Sequence, residues 1–221
     1  MTRDVMIIGA GGFGRELLQY SLDAEADGWP HRVVGFLDDN PRALDDFGLS
    51  VGIEGSTRDH LDGSGISYMV ALGDPEMRSR QALRILKSGG RLEGLVHPTA
   101  YVSQTATLGD GVLLCPFALI AAHAVVESNV ALNVYASVGH DATVGANTVV
   151  SPYVAITGSV KIGDDCFLGA HSTIVPGVGV GRCCKVAAGA VVTRDAPDGS
   201  LLHGNPAKGR VMFRVTGVEP I

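Results

Sequence analysis

Large rings are scarce in this chain: aromatic residues make up 5% of the 221 positions, while glycine occupies 30. That balance suits narrow coils with tight corners rather than a core of bulky side chains. No apolar run approaches the length of a membrane span, and residues 1–10, with Thr2-Arg3-Asp4, are too short and too polar for a signal peptide. Lys and Arg form no cluster and the net charge is −6, which argues against nucleic acid as the main partner and against a polybasic membrane anchor. The four cysteines, Cys115, Cys166, Cys183 and Cys184, include no CxxC pair, and no histidine stands at a zinc-finger spacing. No metal is expected, and a reducing cytoplasm fits.

What is present is a period. From Val96, every sixth residue through Val192 is Val, Leu or Ile, seventeen positions with no slip of phase. Two positions before each stands a mostly small residue, such as Ala118, Ala136, Ala142, Cys166 or Cys184, and Gly frequently follows, as at Gly109, Gly145 and Gly169. A period of six fits neither an amphipathic helix nor an ordinary hairpin sheet. It fits a β-solenoid whose short strands stack coil on coil, with the aliphatics inward and the small residues where the coil is narrow. Cys166 and Cys184 then read as small apolar filler.

Residues 1–94 read differently. Val5-Met6-Ile7-Ile8 is a buried strand ending in Gly9-Ala10-Gly11-Gly12-Phe13-Gly14, a G-x-G-x-x-G turn. A helix should follow with Leu17, Leu18 and Leu22 on one face. Arg32 to Leu37 is a second strand ending in Asp38-Asp39-Asn40, and Ser67 to Leu72 a third. Asp74 caps a helix that opens at Pro75 and runs to about Ser88. Residues 40–66 should be loop, with a weak strand near Ser50 to Ile53 and a helical turn at 57–62. These features make a Rossmann-like α/β unit of three or four strands, and its glycine turn lets a phosphate approach helix amides. No second mononucleotide half and no hydride-transfer site accompany it.

The order of motifs (Gly-Ala-Gly-Gly-Phe-Gly-Arg-Glu, Gly-Phe-Leu-Asp-Asp-Asn, Ala-Leu-Gly-Asp-Pro, then the hexapeptides) resembles the bacterial nucleotide-sugar N-acetyltransferases of the hexapeptide-repeat superfamily, with the sialic-acid O-acetyltransferases a close relation. The resemblance implies a Rossmann-like domain over 1–94 and a left-handed parallel β-helix with a C-terminal cap over 95–221. It further implies three hexapeptides per coil, between five and six coils, and a homotrimer that holds acetyl-CoA between neighbouring helices. The substrate implied is a nucleotide-linked amino sugar, such as a 4-amino-4,6-dideoxy sugar, destined for surface glycans or glycoproteins. Gly11, Gly12, Phe13, Gly14 and Arg15 would line its pyrophosphate and ribose, Asp38 and Asp39 would meet base or ribose, and Gly73, Asp74 and Arg78 would close the pocket. O-acetylation of a free sugar such as sialic acid, or a non-catalytic β-helix, are the alternatives.

Within the repeat, His140 stands two residues after an inward aliphatic and should project outward near a corner. Imidazole titrates near neutrality and suits proton removal from an attacking amine. The resemblance makes His140 the general base and Asp141 its orienting acid, although neighbours on an extended chain point to opposite faces unless a corner intervenes. His97 reads as a structural corner residue, and His123 and His171 as surface histidines. By the same resemblance Asn133 lies near the sugar, backbone at Gly158, Gly169, Ala170, Ala187 and Ala188 meets the pantetheine arm, and Lys208 meets a CoA phosphate. Some relatives carry a second histidine nine residues after the first; here that position is Val149. Residues 209–221 should form a terminal strand or cap.

Overall fold

The computed structural model describes residues 3–58 and 65–215. The N-terminal sheet contains β1 (Arg3–Ile8), β2 (His31–Leu37), β3 (Ile53–Gly55), β4 (Ser67–Val70) and β5 (Arg91–Leu92), in the order β3-β2-β1-β4-β5 and parallel throughout. Two helices connect them, α1 (Gly12–Ala26) and α2 (Pro75–Lys87). Strand alternation sends Val5, Ile7, Phe36 and Met69 into a core with Leu17 and Leu18 of α1. Ile8, Leu37, Tyr68 and Val70 pack instead with Ala82 and Ile85 of α2. Both faces are covered, which is why these strands read as continuous apolar runs. β5 is a strand the sequence reading lacked, because two residues carry no periodicity. Leu22 is a second correction: it is 44% exposed, outside the buried stripe of α1. The expected turn at 57–62 falls mostly outside the described residues, and so does the end of the expected cap.

From Leu95 the chain winds into seventeen two-residue strands, β6 (Leu95–Val96) to β22 (Val191–Val192). Each pairs in parallel with the strand eighteen residues away, as Ile120 does with Val138 and Val138 with Ile156. Three strands therefore complete a coil, and the seventeen make between five and six coils with three flat faces. The first face carries Tyr101, Leu119, Ser137, Ala155, Thr173 and Val191 outward; the second carries Thr107, Val125, Thr143, Lys161 and Gly179. The third carries Leu95, Leu113, Ala131, Val149, Phe167 and Lys185. The hexad aliphatics and the small residues before them form one internal core, Cys166 and Cys184 included. Each large aliphatic buried there stabilises the prism by about 1.5–3 kcal/mol. Val96 is the exception, 42% exposed, since no coil stacks beneath the first.

The corners share one backbone device. Every third residue after an inward aliphatic, from 111 through 189, has positive φ, near 55–75°. One left-handed residue per corner redirects the chain and forces the next side chain inward, where nothing larger than valine stands. The prism is closed by a hairpin, β23 (Ser200–His203) against β24 (Lys208–Val211), that extends the third face.

The two units are locked together. The outward Leu95, Leu113 and Ala131 belong to the same apolar cluster as β1 and α1, so the N-terminal domain sits on the lower third face. His97 anchors α1, with Nδ1 2.8 Å from the Thr99 hydroxyl and Nε2 3.3 Å from an Asp23 carboxylate oxygen. Arg78, fully buried on α2, donates to the Asn129 carbonyl at 2.6 Å, to its side-chain oxygen at 3.0 Å, and to the Val70 carbonyl.

Candidate active site

His140 lies on the edge between the first and second faces. The next residue, Asp141, is the left-handed corner residue, with φ 59°. The turn swings the two adjacent side chains to the same side, and His140 Nδ1 meets Asp141 Oδ2 at 2.8 Å. That contact assigns the Nδ1 proton to the carboxylate side and leaves Nε2 as the basic nitrogen. The ring remains largely exposed. It rests over Gly158, one coil on: a Cβ there would lie 2.5 Å from Nε2 and 2.6 Å from Cε1. Gly158 is therefore a seat for the imidazole, and its N–H meets no acceptor among the described residues.

The other edge of the first face carries the remaining candidates. Ser151, Pro152, Phe167, Gly169, Ala170, Ala187 and Ala188 line one apolar groove of about 460 Å³, with Lys185 at its rim. Four of the five positions expected to meet the pantetheine arm are thus brought together; Gly158 is apart, with His140. Lys185 was not singled out in the sequence, although its phase, one residue before an inward valine, places it outward on the third face. Asn133 begins a corner on the groove's edge, with its side-chain oxygen accepting from the Val134 N–H at 2.9 Å. Lys208 is exposed on the capping hairpin and pairs with His203. Val149 points outward on the third face between Ala131 and Phe167, and is buried. One whole face of the prism separates His140 from the groove within a chain.

At the N-terminal domain, Gly11, Gly12 and Gly73 are exposed, with open space where a Cβ would stand. Gly11 caps α1 without any side-chain bond to the helix amides, leaving the first turn free for an anion. Asp38 braces this loop: its carboxylate accepts from the Ala10 N–H at 2.7 Å and the Asn40 N–H at 2.8 Å. Asp39 turns to the 56–58 segment, accepting from the Thr57 hydroxyl at 2.8 Å, and that bond holds its carboxyl below the usual range. Asp74 is occupied as the cap of α2, accepting from the Met77 N–H.

Four expected pocket residues are placed elsewhere. Gly14 is buried, and a Cβ on it would run into the Gly9 carbonyl, so its role is helix–strand packing. Phe13 packs against the β1 core. Arg15 donates to the Ala10 carbonyl at 3.2 Å and covers the Phe47 ring at 3.8 Å, which holds the loop rather than opening toward it. Arg78 is wholly enclosed by Asn129 and Val70 and cannot close a solvent-facing pocket. A larger cavity, about 580 Å³, lies between α2 and the second–third edge, beside Asp74, Ser79, Asp165 and Cys183. His140 is not among its lining residues.

Comparison with known proteins agrees with this architecture. Residues 4–85 match the PglD N-terminal domain, and residues 159–194 match the hexapeptide repeat of succinyl-transferase. The structure is similar to PerB from Caulobacter crescentus in complex with CoA and GDP-perosamine, at 31% identity and TM-score 0.85, over 94% of this chain and 97% of that one. It is also similar to the acetyltransferase domain of PglB from Neisseria gonorrhoeae, at 28% identity and TM-score 0.82, over 93% and 98%. The same domain in complex with acetyl coenzyme A gives 29% and 0.84, over 94% and 99%. With a PglD-type domain seated on a hexapeptide prism along almost its whole length, the chain belongs to the left-handed β-helix family of sugar N-acetyltransferases.

Proposed function

We propose that this protein transfers the acetyl group of acetyl-CoA to the amine of a nucleotide-linked amino sugar, with His140 as general base. The observation that carries the reading is the His140–Asp141 contact, which leaves Nε2 free at an exposed edge. The neutral amine attacks the thioester carbonyl carbon, and the carbonyl π electrons move to oxygen. Nε2 takes the proton from the ammonium as it forms, while Asp141 stabilises the imidazolium. Collapse of the tetrahedral intermediate restores the carbonyl, breaks the C–S bond, and the imidazolium returns the proton to the departing thiolate. The Gly158 N–H, without an acceptor among the described residues, is suited to the developing oxyanion.

The donor arm lies in the apolar groove, whose methylene-binding walls and Lys185 rim match pantetheine and phosphate. Since that groove and His140 occupy opposite edges of the first face, a complete site requires two chains. The first face between them carries Tyr101, Leu119, Ser137, Ala155, Thr173 and Val191 outward, a mostly apolar surface with no charge, suited to a threefold axis. Three prisms packed on it set the His140 edge of one against the groove of the next. The nucleotide then binds at Gly11, Gly12, Asp38 and Gly73, on the domain seated below the groove. C. crescentus PerB is seen with CoA and GDP-perosamine bound, a ligand pair of the kind this reading assigns to the two places.

Incubating the protein with acetyl-CoA and GDP-, UDP- or dTDP-linked 4-amino sugars tests this. A mass gain of one acetyl group on the nucleotide sugar, released by none of the reactions lacking enzyme, is expected. Acetylation of free sialic acid alone would transfer the activity to the hydroxyl-acetylating alternative.

A further inference from the structure

Four exposed rings stand in register on the groove's edge: Phe117, Tyr135, Tyr153 and His171. Each is the left-handed corner residue of its coil, which throws the side chain outward at the same point of successive rungs. Their centroids are 4.9, 4.9 and 4.7 Å apart, and the planes become more parallel up the prism, 13°, 7° and 3°. The series stops because the next corner residue is Gly189, where a Cβ would meet no heavy atom within 4 Å. One face of the His171 ring packs on Tyr153, and the other looks across this open step. The step borders the groove, since Ala170, Ala187 and Ala188 line it. Above it the 204–206 turn continues the same edge, with the Gly204 carbonyl accepting from the Val191 N–H at 3.0 Å.

A flat, open step, one ring thick, over a parallel aromatic face is the recognition geometry of a nucleobase. We propose that the adenine of the acetyl donor stacks on the outer face of His171 as the fifth ring of this ladder. The proposal rests on acetyl-CoA being the donor held in the groove. Heights support it: Gly189 lies 48 residues beyond Asp141, nearly three rungs, or about 13 Å along the axis. Threefold packing preserves that height, so an extended pantetheine arm spans from the thioester at a neighbour's His140 to the step. The base of the acceptor nucleotide binds lower, at the glycine loop.

Calorimetric titration of CoA and of an abasic CoA analogue, which keeps the ribose and every phosphate but has hydrogen in place of the adenine, tests this without requiring turnover. Wild-type protein should bind CoA more tightly by roughly 5- to 100-fold. His171→Ala should erase most of that difference while leaving the affinity for the abasic analogue and the oligomeric mass unchanged. His171→Tyr, which keeps a ring to stack on, should restore it. A CoA preference that survives His171→Ala, or an equal loss for both probes, would each overturn the stack. Wild-type protein that binds neither probe would sink the donor reading itself.

Discussion

His140 and Asp141, neighbours in the chain, hydrogen-bond through their side chains at 2.8 Å because the second of them is a left-handed corner. The pairing depends on the backbone as much as on the carboxylate. His140→Ala should lower acetyl transfer about 10²–10⁴-fold with the melting temperature unchanged. Asp141→Asn keeps a residue that tolerates positive φ and loses only the charge, so it should lower kcat more than the KM for either substrate. Wild-type turnover in His140→Ala would assign the base elsewhere.

Gly158 is held open by chemistry rather than by φ. A methyl group there would stand 2.5 Å from His140 Nε2, against the free end of a side chain. Gly158→Ala should fold normally while its imidazole is displaced by about an ångström, costing on the order of 10²-fold in kcat. A variant with full activity would show that His140 works in another rotamer.

The prism was legible because its requirement recurs: an aliphatic every sixth residue can be counted without any partner in view. The glycine loop was legible for a similar reason, since strand, turn and helix are contiguous. Contacts between distant segments were not. Arg78 on α2 looks like any surface cation until Asn129, 51 residues away, encloses it. Phe13 and Arg15 carry family-like spacing, yet their partners are the β1 core and Phe47. The aromatic ladder could have been found by counting, because Phe117, Tyr135, Tyr153 and His171 stand eighteen apart at one hexad phase. That phase is the corner, which also resolves the doubt over His140 and Asp141.

Arg78 should prove structural. Arg78→Met strips donors from the Asn129 carbonyl, its side-chain oxygen and the Val70 carbonyl, all inside the domain junction. Leaving them unpaired costs about 2–4 kcal/mol, which lowers the melting temperature by roughly 5–15 °C in a chain of this size. Arg78→Lys should recover little, since one ammonium cannot reproduce the fork. A melting curve superimposable on wild type would contradict the lock.

The second–third edge carries a directional chain. Asn129 donates to the Asn147 side-chain oxygen and Asn147 to Asp165, each at 2.9 Å. Burial raises the Asp165 carboxyl above its usual value of 3.8, despite the Asn147 bond. A raised acid holds more protons folded than unfolded, so its contribution to stability falls as pH rises from 3.8 through the folded value. Asp165→Asn keeps an acceptor for Asn147 and removes the desolvated charge. Its melting temperature at pH 7 should exceed that of wild type, with a flatter profile at acid pH; lower stability at every pH would refute the account.

The shared site makes the strongest demand. His140→Ala lacks the base but keeps the groove, and Ala188→Trp fills the groove but keeps the base. If each site joins one chain's His140 edge to the next chain's groove, either variant alone is inactive. Mixing within trimers at equal amounts then reunites an intact base and an intact groove at about a quarter of the junctions. Co-expressed chains should therefore recover about that share of wild-type activity, while separately purified chains added together without exchange recover none. An inactive co-expressed mixture that native mass spectrometry shows to be mixed trimers would mean that one chain supplies both parts, against the full prism face that lies between them within a chain.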